Sequence, residues 1–110
     1  MDHARWRLAR ERRRVVGDVE LPEVAAVRME IRVAFDFGQA VYDRRTASGV
    51  SQRESARRAE VKRAQIARLE LGGTVPTPGL AARLAAALDA AVRVTLDGDA
   101  SGVVLTPHAG

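Results

Sequence analysis

Residues 48–73 read SGVSQRESARRAEVKRAQIARLELGG. Ser51 followed three positions later by Glu54 is typical of a capping box. In such a box the serine hydroxyl accepts a hydrogen bond from the Glu54 amide, and the glutamate side chain reaches back to the first residue. Because a capping box marks where a helix begins, the pattern predicts a short helix from about Gln52 to Ala59.

A second short helix follows after a gap of three or four residues. It is predicted from about Arg63 to Leu71, with Ile66 and Leu69 on its buried side. Gly72-Gly73 should end it, because glycine readily adopts the backbone conformation that terminates a helix. Two short helices with this separation have the geometry of a helix-turn-helix, whose second helix lies in the major groove of DNA.

The charge distribution points to the same part of the chain. The formal net charge is +4, and residues 44–68 carry eight basic side chains against two acidic ones. Such a concentration of positive charge favours nucleic acid or another acidic partner.

The absence of cysteine excludes disulfides and thiolate metal sites. No apolar run approaches the roughly 20 residues that span a bilayer, so we expect a cytoplasmic protein.

A long helix is predicted before residues 48–73. Pro22 suits a first helical turn, and apolar residues then recur at spacings of three and four up to about Ala47. They are Val24, Val27, Ile31, Ala34 or Phe35, Gly38, and Val41 or Tyr42. This stripe can pack on its own domain, on a second copy or on a partner protein, and the sequence leaves all three open.

The C-terminal part is predicted to hold one helix and two strands. Thr77-Pro78 begins the helix, which should end near Asp89. Residues 91–96 and 103–106 read as strands, and residues 97–102 read as the turn between them. We therefore divide the chain into a basic N-terminal arm (1–20), a helical domain (21–90) and a strand segment (91–110).

The two short helices and their flanks resemble the Cro and phage-repressor (XRE) helix-turn-helix family over roughly residues 40–96. The matching positions are Gly49-Val-Ser-Gln52, Glu54, Ala56, Ala59, Ile66-Ala-Arg-Leu-Glu70 and Gly72. The resemblance implies a mostly α fold, a phage-repressor-like bundle of four to five helices with a short C-terminal strand pair. It also implies a repressor that binds operator DNA as a homodimer.

The same resemblance nominates the residues that contact double-stranded DNA. They are Gln52, Arg53, Lys62, Arg63, Ala64, Gln65 and Arg68. Arg63, Ala64 and Arg68 occupy the base-reading positions, and an arginine there can grip guanine O6 and N7. The other four are better placed for phosphates, which position a protein without reading sequence.

Three positions depart from the family pattern. Glu60 stands where a glycine usually adopts a left-handed turn. Lys62 replaces the usual Ser or Thr cap of the second helix. Ser55 stands where a leucine usually enters the core. These departures affect the stability of the domain more than its fit to DNA.

Two other functions stay open at this point. The layout also resembles HigA-type antitoxins, which would add binding of a cognate toxin, with residues 1–35 as the candidate contact. An interaction adaptor that kept the fold and lost DNA affinity is the third reading. No enzyme is indicated, because His3 and His108 lie near opposite ends of the chain and have no plausible nucleophile or metal partner beside them. We expect no metal and no cofactor.

Overall fold

The computed structural model describes residues 21–109, so the predicted basic arm lies outside the described residues. The elements are α1 (Pro22–Ala47), α2 (Gln52–Ala59), α3 (Arg63–Glu70), α4 (Pro78–Ala87), β1 (Ala90–Asp97) and β2 (Ala100–Pro107). The helices agree with the predicted bounds to within about two residues. The mostly α fold with a terminal strand pair is therefore confirmed. No helix in this described range is long and apolar enough to cross a membrane.

Local side chains explain where α2 begins and ends. The Ser51 hydroxyl accepts a hydrogen bond from the Glu54 amide at 3.0 Å, as the capping box predicts. The Glu54 carboxylate, expected to reach back to residue 51, instead accepts from Arg57 and Arg58 one turn later. Glu60 ends the helix in the left-handed region, with φ 59° and ψ 45°. Glu60 therefore forms the left-handed turn for which the family usually has a glycine.

The helix-turn-helix core is built from α1, α2, α3 and α4. Its buried side chains are Val41, Ala56, Ala59, Ile66, Leu69, Leu84, Ala87 and Leu88. Ser55 lies in the same interior and is fully buried, so its predicted core-facing position is confirmed. Within the described chain its hydroxyl has no hydrogen-bond partner. A buried hydroxyl without a partner destabilises the fold.

Helices α1 and α3 cross at Gly38. A Cβ built at this glycine would stand 2.5 Å from the Leu69 carbonyl oxygen and 2.8 Å from that of Glu70. No side chain fits at these distances, so the glycine permits the close approach of the two backbones. The crossing fixes the direction of α3 relative to the last turns of α1.

A second apolar cluster joins α1 to the hairpin. Val33, Phe37 and Ala81 are buried there, and Met29, Val92 and Val103 pack against them.

The apolar stripe predicted on α1 is buried in its later part and exposed in its earlier part. Its later members Ala34, Gly38 and Val41 are buried, whereas the earlier ones, Val24, Val27, Ile31 and Phe35, are exposed. The hairpin uses a neighbouring face of the helix that the spacing argument did not identify.

The hairpin is longer and its turn shorter than predicted. β1 and β2 pair antiparallel from Ala90 with Pro107 to Asp97 with Ala100, leaving a two-residue turn. Gly98 begins the turn with φ +61°, a value that tight hairpin turns need and that glycine adopts freely. The prediction of a turn over residues 97–102 was therefore wrong, because the small residues Ala100, Ser101 and Gly102 pair in the ladder. The division of the chain into domains stays a prediction.

Candidate nucleic-acid interface

The seven residues nominated for DNA contact lie on α2, on α3 and at the cap between them. Arg53, Lys62, Arg63, Ala64, Gln65 and Arg68 are exposed, and Gln52 is half-buried. Ile66 and Leu69, each 1% exposed, anchor α3 to the core. These anchors turn one side of α3 towards the core. The remaining sides of the helix face solvent and carry Arg63, Ala64 and Arg68.

A polar network connects the end of α1 to the start of both short helices. The Arg45 guanidinium binds the Glu70 carboxylate through two hydrogen bonds, of 2.7 Å and 2.8 Å. Glu70 Oε1 also accepts from Gln52 Nε2 at 3.1 Å, and Gln52 Oε1 accepts from Arg63 NH1 at 3.0 Å. The Arg45 and Glu70 side chains are only 13% and 6% exposed. The hydrogen bond to Glu70 raises the pKa of Arg45 above its ordinary value.

This network fixes which way the Gln52 amide faces. With Nε2 donating to a carboxylate, Oε1 must point the other way, where it accepts from Arg63. One Nε2 hydrogen is engaged by Glu70, and the second is left for a phosphate oxygen. Gln52 therefore holds Arg63 in place in addition to its predicted phosphate contact, which stays a prediction.

Arg68 lies across the turn that follows α3. A Cβ built at Gly73 would stand 2.8 Å from Arg68 Cγ and 3.4 Å from its Nε. The absence of a side chain at residue 73 therefore leaves space for the arginine. Gly72, the residue before Gly73, has φ +77° and ends α3, as the sequence predicts.

Four of the eight basic residues in the segment 44–68 bind carboxylates or backbone carbonyl groups of the protein. Arg44 Nε donates to the Leu88 carbonyl at 2.9 Å, and Arg58 NH1 donates to the Ala87 carbonyl at 3.1 Å. Both bonds satisfy carbonyl groups at the C-terminal end of α4, where helices leave acceptors unpaired. Arg45 and Arg57 bind Glu70 and Glu54 respectively.

The remaining basic residues of this segment define the candidate interface. They are Arg53, Lys62, Arg63 and Arg68, all on α2, on α3 or at the cap of α3. Hydrogen bonds from Arg57 and Arg58 lower the pKa of Glu54 to about 2, so this carboxylate stays charged beside the interface at neutral pH. Its charge is offset by the two arginines that bind it.

Two residues of the site, Arg45 and Glu70, were not predicted from the sequence. They lie 25 positions apart, and each was assigned to a helix without a role in the site. The available signal was the position of Glu70, one turn after the buried Ile66, where a charged residue needs a partner. In the part of the chain that the structure describes, no cluster of His, Cys, Asp or Glu could hold a metal ion.

The comparisons with known proteins agree with this geometry. The profile of a helix-turn-helix domain family matches residues 36–97, more than half of the chain. The chain belongs to this helix-turn-helix family. The match begins in the middle of α1 and includes α2, α3, α4 and β1, so it contains every residue of the candidate interface. The resemblance to the Cro and repressor family is confirmed, and the protein is a DNA-binding transcription regulator.

The chain is also similar to a solved structure. That structure is the restriction-modification controller protein C.AhdI from Aeromonas hydrophila, at 32% sequence identity and a TM-score of 0.49. The similarity covers 51% of this chain and 85% of that one. No match was found among the curated proteins. The assignment of this helix-turn-helix protein to its family rests on the match over residues 36–97.

Proposed function

We propose that this helix-turn-helix protein binds a specific operator as a homodimer and represses its own gene in the cytoplasm. The observation that carries the proposal is the arrangement of α3. Two buried residues anchor this helix, two arginines extend from it, and one of these arginines is held in position by Gln52. A recognition helix needs such fixed side chains, because an arginine that grips guanine must present two donors in one plane.

The exposed residues take two roles in this proposal. Arg63 and Arg68 read guanine, and the Ala64 methyl group contacts the methyl group of thymine. Gln52, Arg53, Lys62 and Gln65 bind phosphates. The first turn of α2 adds unpaired backbone amides, whose partial positive charge attracts a phosphate. Contacts of the first kind give sequence preference, and contacts of the second kind give affinity that falls with salt.

The test is binding to a fluorescent duplex taken from upstream of the chain's own gene. A scrambled duplex of equal length and base composition serves as the control, and both are measured by anisotropy at two salt concentrations. We expect a preference for the native duplex that persists at the higher salt. Equal binding to both duplexes that collapses as salt rises would mean phosphate attraction alone, and it would contradict operator recognition.

The antitoxin alternative from the sequence stays a prediction. It requires a cognate toxin, which would be a small protein encoded beside this gene. Copurification of the two proteins after coexpression supports this role, and recovery of the chain alone argues against it.

A further inference from the structure

Helix α1 carries an apolar face that is unpartnered within the described residues. Val24, Val27, Ile31 and Phe35 are between 49% and 59% exposed and follow one another at spacings of three and four. They form one stripe along about three turns of the helix, which we call the α1 stripe. The hairpin packs on a different side of α1, through Met29, Val33 and Phe37. A contiguous apolar surface of this kind marks an interaction site.

The stripe continues to the helix-turn-helix. The Phe35 ring lies against the turn after α3, because a Cβ at Gly72 would stand 2.7 Å from Phe35 Cδ1. The exposed face therefore ends where the DNA-binding unit begins. A partner on the α1 stripe would be held close to that unit.

Charged residues on the two sides of the stripe have opposite signs. At 100° per residue, Glu23 and Glu30 fall on one side of it, and Arg28 and Arg32 fall on the other. When two identical helices pair in parallel, their two-fold axis brings the acidic side of one against the basic side of the other. In an antiparallel pair, like-charged sides would face each other. The charge pattern therefore favours a parallel pair.

The spacing of these residues agrees with a parallel pair. With Val24 and Ile31 at heptad position a, Val27 takes position d, Glu23 takes position g, and Arg28 takes position e. The next position d is Ala34, which is buried in the chain's own interior, so the heptad pattern covers residues 23–31 and Phe35 lies at its edge. In parallel coiled coils the g residue of one helix faces the following e residue of the other, five positions later. Glu23 and Arg28 are five positions apart, so a symmetric dimer places these opposite charges next to each other twice.

The orientation also suits a palindromic operator. Arg45 in the last turn of α1 binds Glu70, which binds Gln52, so the candidate DNA interface lies at the C-terminal end of α1. A parallel pair places both C-terminal ends on the same side of the dimer, where both can reach one duplex. An antiparallel pair would point the two interfaces in opposite directions.

We propose that a second copy of this chain binds the α1 stripe, forming a parallel two-helix pair over residues 23–31 with Phe35 at its edge. The pairing gives the homodimer of the proposed function a defined surface and rests on that homodimer. Its test is made without DNA, so its failure is distinguishable from failure of operator recognition.

The first experiment measures self-association of the full chain by sedimentation equilibrium. Wild type is expected to be a dimer at micromolar concentrations. Ile31→Lys places a charge in the centre of the stripe and is expected to raise the dimer Kd by at least about a hundredfold. The matched control is Val104→Lys, which changes a similarly exposed apolar residue on the hairpin and leaves the Kd unchanged. Far-UV circular dichroism checks that both variants remain folded.

A charge reversal tests the direction of the pair with changes that leave the apolar stripe intact. Glu23→Arg and Arg28→Glu each place like charges opposite each other, and each is expected to weaken self-association by about tenfold. Mixed in equal amounts, the two variants form a heterodimer in preference to either homodimer, because one is basic and the other acidic at both positions.

Several results would overturn the proposal. Single charge variants that self-associate as tightly as wild type, with no preference for the mixed dimer, would exclude the parallel pair. Loss of the dimer in Val104→Lys but not in Ile31→Lys would place the interface on the hairpin. A wild-type chain that stays monomeric would exclude a second copy, and the occupant of the stripe would then be residues 1–20 or another protein.

Discussion

Glu70→Ala should be among the most damaging single substitutions in the described part of the chain. Removing this carboxylate takes from the Arg45 guanidinium, 13% exposed, the two hydrogen bonds of 2.7 Å and 2.8 Å to Glu70 and leaves it the one of 3.2 Å to the Val50 carbonyl. The loss of one partner from a fully buried ion pair costs about 3–5 kcal/mol, because the remaining charge is desolvated. This pair is only part-buried and Arg45 keeps the Val50 carbonyl, so we expect a loss of about 2–4 kcal/mol. Gln52 loses its acceptor in the same substitution.

The assay is chemical denaturation followed by circular dichroism at neutral pH. Glu54→Ala is the matched control, because Glu54 also binds arginines but lies at the surface of α2. We expect its effect to be a small fraction of that of Glu70→Ala. Combining Arg45→Leu with Glu70→Leu should recover much of the lost stability, since no charge is then left buried. A loss below about 1 kcal/mol for Glu70→Ala would refute the reasoning.

Three further substitutions test particular packing statements by the same denaturation assay. Glu60→Gly should stabilise the fold by about 1 kcal/mol because glycine relieves the left-handed backbone, and Asp89→Gly should gain less since aspartate tolerates that region better. Ser55→Ala should also gain about 1 kcal/mol by removing a buried hydroxyl without a partner, and an unchanged midpoint would show that the hydroxyl is satisfied. Gly38→Ala should cost about 1–3 kcal/mol because its Cβ meets carbonyl groups of α3. The exposed Gly79→Ala, with nothing within 4 Å, should not destabilise.

Local signals were sufficient to predict the helices. The Ser51 hydroxyl, the Thr77 hydroxyl and Gly72 mark helix ends through contacts within a few residues, so their effect can be predicted from neighbouring sequence. The hairpin turn was predicted less well. Gly102 reads as a turn residue but pairs with Thr95, because strand register depends on the partner strand and not on the residue's own preference.

The candidate interface was only partly predictable, because its supports come from distant parts of the chain. The sequence nominates exposed positions of α3 through the spacing of Ile66 and Leu69. It does not reveal that Glu70 holds Arg45 from 25 positions away. Nor does it separate Arg44 and Arg58, which donate to carbonyls at the end of α4, from arginines that face solvent. A count of basic residues therefore overstated the charge available to DNA.

The central claim is that Arg63 and Arg68 read DNA sequence. The most direct test is the ratio of affinities for the native and scrambled duplexes in wild type, Arg63→Ala and Arg68→Ala. Arg93→Ala on the hairpin is the matched control. The account predicts that at least one α3 variant loses roughly tenfold or more of this ratio, as expected for one guanine contact, while the control keeps it. An unchanged ratio in both α3 variants, whether or not their overall affinity falls, would contradict the account.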